Sequence, residues 1–246
     1  MPEKIEALKI SHLNKYLDAK QVLFDVNLTI NEGEVFGFLG PNGAGKTTTM
    51  KSILGLIKPD SGSIEILGDA NLTDTTKALI GFMPENTYLY KYLTGREFLR
   101  FNGNFFNNKH TELEARIEAL LMQVGLTSAG DKLLSAYSKG MLQRIGLAQA
   151  IINTPKIVFL DEPMSGLDPI GRKMVKDLIL HLKATGTTVF FNTHILSDVE
   201  SICDRFAIIH QGRLVSEGTI KDLEKPLEEL FIEKIQENTE GVLEIR

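Results

Sequence analysis

The run Gly40-Pro41-Asn42-Gly43-Ala44-Gly45-Lys46-Thr47-Thr48 is the segment of this sequence best equipped for chemistry. It satisfies the spacing G-x-x-x-x-G-K-[ST], in which glycines let consecutive backbone N–H groups turn inward onto phosphate oxygens. Lys46 brings a point charge to the β- and γ-phosphates, and Thr47 offers its hydroxyl to Mg2+. A flexible loop of accidental spacing would explain neither the apolar strand before it, Glu34–Leu39, nor the helix start after it, whose positive end favours an anion. A second candidate is Ile157-Val158-Phe159-Leu160-Asp161-Glu162-Pro163, an apolar strand that ends in adjacent carboxylates. Neighbouring residues at a strand end point to different sides, so the pair can divide two tasks. Asp161 would hold Mg2+ through its water shell, while Glu162 would orient and deprotonate an attacking water. Taken alone, an Asp-Glu pair is more often a solvated strand end, and a phosphate loop alone leaves kinase, GTPase, motor and transporter chemistry open.

The elements that must position these groups are legible in outline. Leu8–Leu13, Val22–Ile30 and Ser63–Leu67 read as short strands. Thr94 and Glu97 form a capping box, and Leu93 and Phe98 a hydrophobic staple, at a helix start; Thr111 with Glu114 repeats the signal. Leu113, Ile117, Leu120, Leu121 and Val124 then share one helical face, with Gly125 as its stop. Ile80–Glu85 reads as a loop. From Lys156 the pattern alternates: strand Ile157–Leu160, a helix capped by Asp168 with Pro169 in its first turn and ended by Gly186, strand Thr188–Phe191, helix Ser197–Ile202, strand Phe206–Ile209. Such alternation argues for a parallel-sheet α/β core. The tail from Lys225 is charged and weakly amphipathic.

Composition narrows the class. The chain has 246 residues and is 43% hydrophobic, enough for one sizeable core. With 27 Lys+Arg against 32 Asp+Glu, and no basic stretch interleaved with aromatics, a nucleic-acid partner is not expected. Cys203 is the single cysteine; it reads as a small buried hydrophobe, and a reducing, cytoplasmic setting suits it. The first ten residues lack the apolar core of a secretion signal, and no apolar run approaches the ~18 residues of a membrane helix. Any membrane part is therefore expected on another chain.

The order of phosphate loop, Tyr137-Ser138-Lys139-Gly140-Met141, Asp161-Glu162, Ser165-Gly166-Leu167-Asp168 and His194 resembles the ABC ATPase family over nearly the whole chain, to about Lys221. The resemblance implies an α/β fold: a P-loop NTPase core with a mostly parallel sheet, an N-terminal antiparallel β subdomain and an inserted α-helical subdomain. It places a nucleotide-binding domain at 1–224, with the helical subdomain about 86–153, and a C-terminal tail at 225–246. It further implies ATP and Mg2+ as ligands. Ser138 would cap a helix running through Met141, Leu142, Ile145, Ala148 and Ile152. Its hydroxyl and the amides around Gly140 would face the γ-phosphate held by a second ATPase subunit, in a head-to-tail homodimer or heterodimer, the homodimer being the first expectation, with ATP at the interface. Ser165–Asp168 would signal across that interface, and Asp168 serves equally as a plain helix cap. His194 would bond the γ-phosphate and the catalytic carboxylate, although a lone histidine is more often structural. Tyr16 would stack on adenine, although a tyrosine near an edge strand is also ordinary packing. The implied activity is ATP hydrolysis that drives transport, with export suggested at subfamily level, through integral membrane permease subunits at the cytoplasmic face of the cell membrane. The alternative, a soluble ABC ATPase acting on nucleic acid or ribosomes, usually carries coiled-coil insertions, zinc modules or tandem ATPase domains that this sequence lacks.

The pattern departs from the family's commonest form in two places. Lys139 and Met141 replace a glycine and a glutamine around Ser138, while Ser138 and Gly140 are retained. Glu85 stands where the family usually has a glutamine that touches Mg2+ and water. The groove after Glu85 would receive the membrane chain; Phe98, Phe101, Phe105 and Phe106, at helical spacing, are expected mainly in the core with some lining that groove. A carboxylate at Glu85 can ligate Mg2+, but its charge beside phosphates makes the site more metal-dependent. Glu85→Gln, which removes an anionic ligand, should accordingly raise the Mg2+ concentration needed for half-maximal ATP turnover; an unchanged Mg2+ titration and unchanged coupled activity would remove Glu85 from contact with the metal.

Overall fold

The computed structural model describes residues 5–86, 89–106 and 110–243. The first half holds strands β1 (Glu6–Leu17), β2 (Lys20–Asn31) and β3 (Val35–Leu39), helix α1 (Lys46–Ile53), strand β4 (Ser61–Ile66), helix α2 (Asp74–Lys77) and strand β5 (Ile80–Met83). Helices α3 (Gly95–Gly103), α4 (His110–Gln123) and α5 (Lys139–Ala150) follow, with no intervening strand among the described residues. The chain then alternates through β6 (Ile157–Asp161), α6 (Pro169–Ala184), β7 (Thr188–Thr193), α7 (Leu196–Ile202), β8 (Arg205–His210) and β9 (Arg213–Thr219), and closes with α8 (Leu227–Leu243).

Strands β3, β6 and β7 are buried at every residue, the pattern of parallel strands covered on both faces. They form the centre of a six-stranded sheet of order β5-β6-β7-β3-β8-β9, parallel throughout except for the β8–β9 pair. A separate antiparallel sheet has the order β2-β1-β4. The backbone N–H of Phe24 on β2 donates to the Gly212 carbonyl at the β8–β9 turn (2.9 Å), tying the two sheets together.

The two-residue period of a strand splits the interior in two. Val35, Leu39, Val158, Leu160, Val189, Phe191, Phe206 and Ile208 point into a core shared with α3 to α7. Phe36, Phe38, Ile157, Phe159, Phe190, Ala207 and Ile209 point the other way, onto α1 and the antiparallel sheet. Phe190 is the hub of that second core: its ring centroid lies 6.0 Å from Phe36, 5.4 Å from Phe38 and 5.6 Å from Phe159. On the first face α7 approaches β3 so closely that a Cβ on Gly37 would sit 2.8 Å from Val199 Cγ1 and 3.0 Å from the half-buried Cys203 Sγ.

The structure differs from the sequence reading in instructive ways. Ile80–Met83 is a strand, paired with β6, and the expected loop is confined to the residues after it. α4 already includes His110, so Thr111 lies within the helix and is not its cap, and Glu114 pairs with Arg100 of α3 (Nη2 to Oε2, 2.7 Å). The charged tail is the helix α8, whose Leu227, Leu230, Phe231 and Ile235 pack onto the first core. Of the phenylalanines expected in the core, Phe98 is buried and Phe106 half-buried, but Phe101 is 42% and Phe105 73% exposed. α3 ends at Gly103, where a Cβ would meet Leu113 Cδ1 at 2.3 Å, so helical spacing cannot carry Phe105 inward. Phe101 is instead covered edge-on by Tyr90 and Phe105, each 5.3 Å away.

Among the described residues no helix is long and apolar enough to cross a membrane. Phe190→Ala would leave a cavity at the meeting point of three rings and should destabilise the fold by about 4 kcal/mol, read as a lowered denaturant midpoint with an unchanged slope.

Candidate functional site

Parallel register brings the chemistry to one edge of the sheet. Leu39 pairs with Thr193, and Asp161 with Asn192, so the chain leaves β3, β6 and β7 side by side at their C-terminal ends. A cleft of about 330 Å3 opens there, lined by Val22, residues 41–48, Glu85, Asp161, Glu162, Ser165 and His194.

The loop is shaped by close approach. A Cβ on Gly40 would lie 2.4 Å from the Ile209 carbonyl oxygen, and Gly45 caps α1 at φ 114, a conformation L side chains rarely adopt. No side chain caps α1 and no acidic residue occupies its first turn. Its leading N–H groups therefore have neither intrahelical acceptors nor a side-chain substitute, and the helix's positive end faces an anion site. Lys46 folds back to donate from Nζ to the Gly40 (2.6 Å) and Pro41 (3.3 Å) carbonyls. Burial pulls its ammonium below the ordinary lysine range, against the opposing pull of Glu162, Asp161 and Glu85.

The carboxylates are separately held. Asp161 accepts from Thr47 Oγ1 at one oxygen (3.2 Å) and from Asn192 Nδ2 at the other (3.0 Å). Glu162 accepts from His194 Nδ1 at Oε1 (2.8 Å), since a carboxylate can only accept, and from Thr193 Oγ1 at Oε2 (3.4 Å). The Glu162 side chain is nearly buried, whereas that of His194 is 54% exposed and open to the cleft's contents. Glu162 also sits in the left-handed region at φ 51, where a side chain with a Cβ is strained. Its backbone is held there by its N–H to the Asn192 carbonyl (3.1 Å) and by Gln143 Nε2 donating to its own carbonyl (2.9 Å).

This donor set fits a magnesium polyphosphate. Glu85, Asp161 and Glu162 crowd one lysine in a cleft whose loop is built for phosphate, and anions on both sides call for a divalent cation between them. A hydroxyl and a carboxylate 3.2 Å apart are hard oxygen ligands of the kind Mg2+ takes. Among the described residues no group of three or more His, Cys, Asp or Glu is placed to hold a metal ion.

The sequence-derived residues Pro41, Asn42, Gly43, Ala44, Gly45, Lys46, Thr47, Thr48, Glu85, Asp161, Glu162 and His194 thus line one cleft, with Gly40 beneath it through its carbonyl. Tyr16 does not line it: 47% exposed on β1, it donates its backbone N–H to Asp60 (2.6 Å). Ser138 caps α5, accepting from the Met141 N–H (3.3 Å), and with Gly140 borders a different cleft beside Gly166, Leu167 and Asp168. Asn192, Thr193 and Gln143 were missed; only Asn192 and Thr193, polar residues closing an otherwise apolar strand before His194, carried a sequence signal.

The family model described as ABC transporter matches residues 23–165. An uncharacterized ABC transporter ATP-binding protein of Nostoc sp. is 52% identical over 199 residues, 80% of this chain and 59% of that protein. The bacitracin transport ATP-binding protein BcrA of Bacillus licheniformis is 39% identical over 221 residues, 89% of this chain and 71% of its own length. A solved structure of the ATP binding subunit of an ABC transporter superposes with a TM-score of 0.86 at 34% identity, covering 93% of this chain and 99% of that one. The chain spans about three fifths of the length of the Nostoc and Synechocystis relatives it matches.

The left-handed backbone at Glu162 has a consequence separable from its carboxylate. Glu162→Gly and Glu162→Ala both lose the side chain, yet the glycine variant should be the more stable by about 1 kcal/mol in denaturant unfolding, reversing the usual order. An alanine variant as stable as glycine would show that the conformation carries no strain.

Proposed function

We propose that this chain, which belongs to the ABC transporter family, binds and hydrolyses ATP as the energy-supplying subunit of a transporter. The observation that carries the reading is the Glu162–His194 hydrogen bond of 2.8 Å at the mouth of a phosphate loop whose Thr47 already touches Asp161. Lys46 and the first-turn amides of α1 hold the β- and γ-phosphates. Thr47 and Asp161, with Glu85 close by, would hold Mg2+, which when bound neutralises charge on the phosphates. Glu162 takes a proton from the water that attacks the γ-phosphorus, and ADP departs as the leaving group. His194 keeps the Glu162 carboxylate in line and offers its exposed ring to the γ-phosphate.

Ser138 and Gly140 lie outside this cleft, on a capped helix start beside Asp168. That placement supports a site completed in trans, with a second copy facing head to tail and ATP between them. The exposed group Tyr90, Phe101 and Phe105, downstream of Glu85, supports docking of an amphipathic segment from a separate membrane permease. On this reading the chain sits peripherally on the cytoplasmic face of the membrane through that permease, with export as the direction; the naming of BcrA for bacitracin transport supports a role in transport.

Glu162→Gln tests the reading, since it keeps shape and binding but removes the base. It should bind ATP, lose about 10²–10⁴-fold in kcat and accumulate as an ATP-dependent dimer in sizing experiments. Lys46→Ala should lose both ATP binding and dimer formation. Turnover by Glu162→Gln within about twofold of the parent would remove Glu162 from the role.

A further inference from the structure

We infer that Asp198, gripped by Arg172 and Lys176, is a positioning residue that sets the Glu162–His194 pair and links it to the segment Ser165–Asp168. The inference rests on the function proposed above.

Asp198 is 1% exposed and lies in the first turn of α7, the helix that begins just beyond His194. α7 has no side-chain cap, its capping position being Ile195. What pins its first turn is the carboxylate of Asp198, which accepts from Arg172 Nη2 at both oxygens (2.8 Å each) and from Lys176 Nζ at Oδ1 (2.9 Å). Both cations belong to α6, whose own first turn is fixed by Asp168 accepting from the Gly171 N–H (2.7 Å). Upstream of that cap the chain runs through Ser165, whose N–H donates to the Glu162 carbonyl (3.0 Å).

The contacts close a ring. Glu162 leads through Ser165 and Asp168 into α6; α6 grips Asp198; Asp198 carries α7; α7 starts beside His194; and His194 donates back to Glu162. A carboxylate buried at 1% exposure and shared by two cations resists displacement, because moving it out of reach of both would leave its buried charge unpaired. A shift of α6 at its interface end is thereby passed to α7 and to the histidine. Exposed Lys173, the next residue after Arg172, pairs with Asp177 and takes no part in the grip.

The test is a double-mutant cycle on the full chain with Asp198→Asn and His194→Ala, reading kcat, KM for ATP and Tm. Asp198→Asn should lower kcat by at least about tenfold while KM stays within about twofold, and Asp198→Glu, which keeps the charge, should recover part of the loss. Added to His194→Ala, Asp198→Asn should cost less than about twofold more, since the residue acts through a ring already removed. A full, additive loss of kcat in both backgrounds, or a fall in Tm with kcat unchanged, overturns the inference. The His194 ring resonances of the nucleotide-free protein give a readout that needs no turnover: they should shift in Asp198→Asn, and identical resonances overturn the clamp even if the proposed hydrolysis also fails. If the hydrolysis fails while the ring does shift, only the functional reading is lost. Should Asp198→Asn not fold, Arg172→Gln replaces it in the same cycle with the same outcomes.

Discussion

The parallel hydrogen-bonded ladder through β6, β7 and β3 places Leu39 level with Thr193 and Asp161 level with Asn192. Everything chemical in this protein depends on that alignment, because the phosphate loop, Glu162 and His194 each begin at the residue after a strand ends. Residues more than a hundred positions apart are brought within a hydrogen bond of one another, as Thr47 is to Asp161. Side-chain period two makes the register unforgiving: sliding one strand by a single residue would exchange Phe190 with Val189 or Phe191 between the two cores. The apolar faces thus hold the polar ends in place, and the packing of three phenylalanines about Phe190 serves a site that none of them touches.

Polarity at the strand ends opposes this stability. Asp161, Glu162, Asn192 and Lys46 are all buried or nearly so, and each must find partners inside the protein. Asp161 and Glu162 do so through the last residues of β7, Asn192 and Thr193, while Lys46 satisfies itself on backbone carbonyls of its own loop. The left-handed backbone of Glu162 adds strain on top of burial. A site arranged this way is held ready at some expense in stability, the usual relation between preorganisation and folding free energy.

Helices on the first face do more than cover the sheet. α6 and α7 follow directly from the segments that carry Glu162 and His194, and the Asp198 carboxylate joins them behind the site. α5 reaches the same place from the other side, through Gln143 on the Glu162 carbonyl. α8 packs against the first core and contributes Glu237 and Asn238 to a second cleft that shares Val22 and Gly43 with the phosphate site. The antiparallel sheet, tied at Phe24 and Gly212, closes the opposite face.

Much of this was legible in the residues. The phosphate loop, the paired carboxylates and His194 could be located because their chemistry demands particular types at short spacing, and the capping box at Thr94 and the cap at Asp168 appear as read. Local signals suffice where the interaction itself is local. Tertiary structure alone decided the rest: that Ile80–Met83 is a strand because β6 offers it a partner, and that Phe105 stays outside because α3 ends at Gly103 against Leu113. It alone brought Asp198 under Arg172 and Lys176 and left Tyr16 away from the cleft lining. Those outcomes turn on which elements meet, and the spacing of residues along one element carries no record of the element that will lie across from it.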